Sequence, residues 1–442
     1  MDHSVKCASH DNTSFFCLLT TMPLAADQRG GGFPEIKIML RIQSPALIPL
    51  PLLAPLTMVV CALFSGSALA GPGDVFTPYV GIVVSHDDNL FRLSGPEEAL
   101  LRLGTSSLSD TYRRLNVGLA IDKQISQQRI TANLGLNRTA YNRFTQLDND
   151  GKDLQVNLNW HLGTHVEGNI GTTYVESLTP FSDLRATTER NLRTQKRLFA
   201  DGAWRFHPSW QVRGSVAQDK LNYALASQRG FNRDLNTEVV GIDYLSPTKS
   251  SVGIQAGHSS ASYLSSINNY SQNELKGKID WYATGKSRLQ FLGGYVERKH
   301  DGAPERDYSG TNARVVATHA LTGKIGLTAN VYREIGSIDD LINSYSLNNG
   351  VSLEAAWEIS PKTRLAAQLL NERRSYAPNA ALVGQGGADR EDTYRRASLI
   401  GNYAATRKWS LLLIAYRDQQ TSNQTFGNYR ATGLSLNSRY DF

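Results

Sequence analysis

The sequence has very little sulfur outside its N-terminal end. Its 442 residues include 3 cysteines and 4 methionines, and none of them lies beyond Cys61. The long remainder of the chain therefore has no disulfide framework, no thiolate metal site and no cysteine nucleophile. A chain of this composition crosses an oxidising compartment without forming incorrect disulfides.

Charged and hydrophobic residues are also scarce. They make up 19% and 40% of the chain, against roughly 25% and 45–50% in soluble globular proteins. This composition excludes coiled coils and highly charged disordered chains. Only one long apolar run is present, Ala46 to Phe64, which excludes a membrane protein of many helices. The net charge of +6 is spread along the chain, and the absence of basic clusters argues against a nucleic-acid partner.

The single apolar run has the features of a secretory signal. Lys37 and Arg41 precede it, and the small residues Ser65 to Ala70 follow it in A-x-A form. We therefore predict a signal peptide over 39–70, after an over-extended start or unstructured leader over 1–38. A membrane-spanning helix is the alternative, but three prolines interrupt the run. The mature domain is then 71–442.

The rest of the chain alternates apolar and polar residues with a period of two. Leu154 to His161 and Leu275 to Tyr282 show this pattern most clearly, and it predicts strands with one apolar and one polar face. Short turns recur roughly every 40 residues, with two strands and one longer polar loop between successive turns. The predicted short turns are Ser126-Gln127, Gly163-Thr164, His207-Pro208, Pro247-Thr248, Gly285-Lys286, Thr322-Gly323, Pro361-Lys362 and Thr406-Arg407.

This organisation predicts an all-β fold. Strands of roughly 10–16 residues suit a tilted bilayer crossing. Short turns on one side, long loops on the other and an even strand count are the signature of an outer-membrane barrel. We therefore expect a transmembrane antiparallel up-and-down β-barrel of about 18 strands, with short periplasmic turns and long extracellular loops. The barrel must close, because an open edge leaves unpaired backbone groups in lipid.

Aromatic residues and the C-terminus support the same fold. Six aromatics stand just before short turns, where amphipathic rings form an interfacial girdle: Trp160, Trp204, Tyr244, Trp281, Trp357 and Tyr403. The last strand ends with alternate apolar residues that include Tyr440 and the terminal Phe442. Such an ending resembles the signal that the barrel-assembly machinery of Gram-negative bacteria reads. Outer-membrane lipids, lipopolysaccharide and this machinery are the partners expected from the fold.

Strand parity assigns the remaining polar residues to the lumen. The cations predicted to face inward are Arg114, Arg213, Lys276, Lys278, Arg314, Arg364, Arg396 and Arg439. Arginine and lysine attract carboxylates and bind hydroxyl groups, which suits the path of an acidic or hydroxyl-rich polymer. The alternative, with equal weight, is that these residues form only a solvated and mutually paired wall.

One internal repeat stands out. Asp110 to Arg114 reads D-T-Y-R-R and recurs as Asp392 to Arg396, each at the start of a strand that returns from a long loop. Parity places Arg113 and Arg395 outward, where they are candidates for contacts with lipopolysaccharide phosphates. We favour the simpler interpretation, that the repeat anchors the outer rim.

Signals for catalysis, metals and cofactors are weak. Gly384 to Asp389 is glycine-rich but lies in a predicted loop, and Asp148 to Asp153 lacks the length and terminal glutamate of a calcium loop. No spacing selects a Ser–His hydrolase among many candidates. We therefore expect no catalytic residue, no metal and no cofactor.

The mature chain resembles a known family. The segment Phe76 to Arg92, the two Tyr-Arg-Arg motifs and the terminal Phe442 are similar to those of EpsL-type outer-membrane proteins. These are barrels encoded in exopolysaccharide operons with exosortase B, and the resemblance covers essentially all of 71–442. It implies export of an extracellular polysaccharide, with that polymer and periplasmic export components as partners. The alternatives are a general or sugar-selective diffusion porin and, less favoured, an outer-membrane glycan- or lipid-modifying enzyme.

Overall fold

The period-two pattern extends through 18 strands in the computed structural model of the chain, which describes residues 75–183, 187–265, 268–338, 343–378 and 390–442. The predicted leader over 1–38 and signal peptide over 39–70 lie outside these residues, as does the predicted domain start at 71–74.

Each strand is followed by an antiparallel neighbour. In chain order the strands are β1 Phe76–Asp87, β2 Asp110–Ile125, β3 Gln128–Tyr141, β4 Asn149–Leu162, β5 Val166–Leu178, β6 Leu192–His207, β7 Trp210–Tyr223, β8 Arg233–Leu245, β9 Ser251–Tyr263, β10 Tyr270–Thr284, β11 Ser287–His300, β12 Tyr308–Ala320, β13 Ile325–Gly336, β14 Asn343–Ser360, β15 Thr363–Pro378, β16 Glu391–Ala404, β17 Trp409–Ser422 and β18 Tyr429–Asp441. The one α-helix of the described residues is α1, Pro96–Leu103, and single 3-10 turns occur at Thr145–Leu147, Ala226–Phe231 and Pro304–Arg306.

The first and last strands close the sheet. β1 pairs with β18 from Tyr79 opposite Asp441 to Asp87 opposite Gly433, so every strand has two neighbours. The short connections lie at one end of the barrel, and each contains at least one residue of the predicted turns. The prediction of a closed, antiparallel, up-and-down barrel is therefore confirmed. The longest connection that the structure describes completely is 88–109, between β1 and β2.

The outer face is apolar in a continuous belt. Leu275, Ile279 and Trp281 on β10 are exposed by 61%, 41% and 52%, which is the side-chain environment of a lipid-facing strand. The six predicted girdle aromatics, from Trp160 to Tyr403, also project outward near the short-turn end. A closed barrel with such a belt is an outer-membrane protein. None of the helices in the described ranges is both long and apolar enough to span a membrane.

The inner face contains a repeated tyrosine–glycine arrangement. In three places an inward tyrosine lies across an inward glycine on the next strand, and a Cβ on that glycine would overlap the phenol end of the ring. A bare backbone is therefore needed for the ring to lie flat along the wall. The pairs are Tyr79 with Gly118, Tyr332 with Gly350 and Tyr416 with Gly433.

We predict that Gly350→Ala lowers barrel stability by about 1–3 kcal/mol, because the new methyl group displaces the Tyr332 ring from a packed wall. Gly81→Ala is the matched control, since a Cβ on this inward glycine meets only ordinary contacts of 3.4 Å or more. The measurement is the urea concentration at which half of the refolded barrel unfolds, read from the mobility shift between folded and unfolded protein on a gel. Equal midpoints for the two variants would contradict the packing argument.

Candidate functional site

The lumen wall is the candidate functional site. Cross-strand register places all eight predicted cations on its inner face. Arg114 donates from Nε to the Thr139 hydroxyl over 3.0 Å. Each of the others forms an ion pair with a carboxylate: Arg213 and Lys278 with Asp243, Lys276 with Glu274, Arg314 with Glu334, Arg364 with Glu358, Arg396 with Asp418 and Arg439 with Asp441.

Several of these pairs are tight. The Arg213 Nε lies 2.8 Å from the Asp243 carboxylate, which has no exposed surface, and the Lys276 Nζ lies 2.7 Å from Glu274. The Arg314 guanidinium binds Glu334 through both Nε and Nη2, at 2.8 and 2.6 Å. Paired charges leave little net field in the lumen. The geometry therefore matches the paired-wall alternative, and a substrate path along these cations stays a prediction.

The connection 88–109, here called the first loop, lies against the inner wall. Arg92 donates from Nη1 to both Asp87 carboxylate oxygens, at 2.9 and 2.8 Å, and its Nη2 lies 3.7 Å from Asp418. Asp87 and Asp418 both point into the barrel from β1 and β17. Arg92 is therefore inside the barrel, where it links the start of the loop to strands on either side of β18.

Electrostatics stabilise the Arg92 anchor. Burial by itself lowers the pKa of the Arg92 guanidinium, but Asp87, Tyr416 and Asp418 together outweigh burial and hold that pKa above its ordinary value. The Tyr416 hydroxyl also donates to Asp87, over 2.6 Å. Since a buried carboxylate left without its cation carries a large desolvation cost, Arg92 and Asp87 depend on each other.

Apolar residues hold the rest of the first loop. Phe91 and Leu93 are 1% exposed and pack with Tyr141, an inward residue at the outer end of β3. The Phe91 ring also meets Phe144 and Phe181 from two other outer loops, with centroids 4.8 and 4.5 Å apart. This cluster places the first loop at the extracellular mouth, against the inner face of the first strands.

Helix α1 lies within this loop and has clear local causes. Pro96 stands at its first turn, and the left-handed Gly104 ends it with φ 68°. The Glu98 carboxylate accepts the Ser94 backbone N–H at 2.7 Å and pairs with Arg102 one turn later at 3.0 Å. These contacts stabilise a short helix whose Ala99 packs in the same apolar cluster as Phe91.

The sequence analysis missed the tyrosines of the inner wall. Each ring of the three tyrosine–glycine pairs has an arginine over it, with the guanidinium carbon 3.7, 4.5 and 4.9 Å from the ring centroid: Arg439 over Tyr79, Arg314 over Tyr332 and Arg396 over Tyr416. A guanidinium at this distance makes a cation–π contact and occupies a ring face that would otherwise be open to a sugar. An inward tyrosine opposite an inward glycine is the sequence signal that could have identified them.

The two D-T-Y-R-R segments lie at equivalent places. In both, the aspartate, the tyrosine and the second arginine face inward, while Arg113 and Arg395 face outward. The buried Asp110 accepts the backbone N–H groups of Arg143 and Phe144 in the next outer loop. This contact agrees with an anchoring role at the rim.

The remaining predicted residues are placed as follows. Tyr440 faces outward at the end of β18, and its ring lies 5.1 Å from that of Phe442, whose backbone N–H donates to the Pro78 carbonyl. Their role as an assembly signal is untested.

Asp148 accepts the Tyr141 backbone N–H, which is a loop-capping contact. Gly384 to Asp389 lies outside the described residues. Within the described ranges no cluster of histidines or acidic residues is arranged to hold a metal ion.

Comparisons with known proteins give structural neighbours only. No protein-family model matches the chain, and no curated protein matches it either. Similar solved structures include the outer membrane protein opdK from Pseudomonas aeruginosa (10% identity, TM-score 0.46) and OccAB3 from Acinetobacter baumannii (9%, 0.46). A BenF-like porin from Pseudomonas fluorescens Pf-5 is also similar (12%, 0.48). Each covers 83% of this chain and 99% of its own. Likeness at this level carries no argument about the transported molecule, and the EpsL-type resemblance finds no support among these comparisons.

Proposed function

We propose that the protein is a passive channel for small hydrophilic solutes across the outer membrane. The observation that carries this proposal is the inner wall, which is polar, lined by paired charges and enclosed by 18 strands. Barrels of about 16–18 strands leave an aqueous channel. A wall whose own charges are paired offers weak contacts, and weak contacts allow a solute both to enter and to leave.

The first loop limits the size of the solute. Arg92 and Phe91 hold it against the inner wall, so it reduces the open cross-section at the extracellular mouth. The backbone N–H of Leu90 donates to the carbonyl of Leu108, which makes these two residues the neck of the loop. Residues 93–106 of the loop form the obstruction, and replacing them leaves the 18 strands and the Arg92–Asp87 ion pair in place.

Export of an acidic polysaccharide is a different function and stays a prediction. It requires cations that are free to bind the polymer, whereas Lys276, Lys278 and Arg396 each contact a carboxylate. The three stacked tyrosines are also covered by arginine. The diffusion channel therefore accounts for more of the wall than a basic polymer conduit does. The absence of catalysis stays a prediction as well.

We predict weak ion selectivity for the reconstituted barrel. Since seven of the eight predicted lumen cations pair with a carboxylate, the reversal potential in a potassium chloride gradient should correspond to a permeability ratio near unity. An acidic oligosaccharide should not block the current. Strong chloride selectivity with block by the oligosaccharide would refute the proposal and support the polymer conduit.

We predict a larger single-channel conductance when residues 93–106 are replaced by a short glycine–serine linker, because the mouth then loses its obstruction. Arg92→Gln should have a smaller effect in the same direction, with more current noise, since it releases only the anchor. The gel mobility shift checks that both variants form closed barrels. Unchanged conductance in the linker variant would show that the first loop does not restrict the channel.

A further inference from the structure

Cations on the outer face of the barrel fall into two groups. On the arc from β3 to β11 four of the outward cations near the extracellular end pair with neighbouring carboxylates, while Lys196 lies over the Tyr174 ring. Those pairs are Arg138 with Asp150, Lys152 with Glu176, Lys220 with Asp234 and Lys299 with Glu297, with N···O distances of 3.2, 3.3, 2.8 and 3.3 Å. Exposed pairs of this kind present little net charge to the membrane.

The arc from β13 to β17 contains one such pair, Arg373 with Glu391 at 2.7 Å, and three arginines without a carboxylate. Arg333, Arg395 and Arg417 project outward and are exposed, and no carboxylate of the described chain forms an ion pair with them. Two of them are held by asparagines instead. Arg333 donates to the Asn349 side chain and Arg395 to the Asn371 side chain, both over 3.1 Å. An asparagine contact orients the guanidinium and leaves its positive charge uncompensated.

Arg395 and Arg417 lie at one height on the barrel. Arg395 is about eight residues along β16 from the girdle residue Tyr403, and Arg417 is equally far from Trp409 on β17. At about 3.3 Å per residue, the separation along the strand is on the order of 26 Å. Strands tilted by about 35–45° turn this into roughly 18–21 Å along the barrel axis, within an apolar belt about 25 Å tall. Long arginine side chains extend their charged ends toward the interface, so the guanidiniums reach the extracellular edge of the belt, where the headgroups of the outer leaflet begin.

Arg395 and Arg417 line one shallow groove. They are diagonal neighbours across β16 and β17, a relation that separates side chains by about 7–8 Å. The apolar residues Val351, Leu353 and Leu369 line the same groove on its membrane side. A ligand that fits this surface carries an anionic group with several acceptor oxygens next to a hydrocarbon chain.

We propose that this groove binds a bisphosphorylated glycolipid of the lipopolysaccharide type. A phosphate carries between one and two negative charges and accepts several hydrogen bonds, so two guanidiniums bind it strongly. The acyl chain of the same lipid then covers Val351, Leu353 and Leu369. Phosphates of the outer leaflet repel one another, and the two arginines provide fixed cations that offset this repulsion. The site is independent of what passes through the lumen.

The experiment uses the purified barrel in detergent, titrated with bisphosphorylated lipid A and observed by native mass spectrometry. The variant R395Q/R417Q removes both charges of the groove, and K152Q/K220Q removes two outward cations from the opposite arc as the matched control. We expect the groove variant to bind lipid A at least about tenfold more weakly, since it loses the charge-assisted hydrogen bonds of both guanidiniums. The control variant should match the unchanged protein.

Two further probes identify the ligand chemistry. Dephosphorylated lipid A should bind unchanged barrel and groove variant equally weakly, because the arginines then have no anionic partner. Inorganic phosphate alone should bind far more weakly than lipid A. Equal lipid A binding by both double variants would overturn the proposal, as would undiminished binding of the dephosphorylated lipid. Inorganic phosphate bound as tightly as lipid A would show that the lipid is not the ligand. The gel mobility shift verifies that each variant is folded.

Discussion

The backbone of a strand in lipid must satisfy every N–H and C=O group within the protein, and the rest of this structure depends on that requirement. An open sheet leaves two rows of unpaired groups in hydrocarbon, each costing several kcal/mol. Pairing of β1 with β18 removes both edges. Closure in turn fixes two faces of opposite polarity, and it encloses a volume that side chains from 18 strands do not fill. Lumen and belt are two results of the same constraint.

The fold could be predicted because its determinants are local. Alternation at Leu154–His161 or Leu275–Tyr282, and turn residues at regular intervals, require no knowledge of the partner strand. Parity then determines which side chains face inward, so the orientations of Arg114 and Arg396 also followed from sequence. The partners did not follow, because the residue opposite Arg314 or Lys278 depends on register between strands. The inward course of the first loop depends on contacts that join Arg92 to Asp418, more than 300 positions away.

Charge pairing is the second organising feature of the barrel. A guanidinium in a partly desolvated wall is stabilised by a carboxylate. Some pairs in this lumen join adjacent strands, as Arg213 with Asp243 does, and others lie within one strand, as Lys276 with Glu274 does. Because of the same rule, cations without a carboxylate partner are informative on the outer surface. Outward cations such as Lys220 pair with a carboxylate, whereas Arg395 and Arg417, near the edge of the apolar belt, are bordered by asparagine and glutamine. Near the lipid headgroups, an arginine without a carboxylate partner therefore points to an anionic ligand, which its exposure alone would not do.

The anchor at Arg92 has a consequence for the order in which the barrel forms. The residue follows β1, the first strand of the chain, yet it contacts Tyr416 and Asp418 on β17 and accompanies the backbone contact between Asp88 and Thr432 on β18. These partners are absent from the inner wall until the C-terminal strands have joined β1. The Phe91 cluster needs only the first strands and their loops. The Arg92 contacts with β17 form only when the seam between β1 and β18 is complete, so the last restraint on the loop coincides with barrel closure.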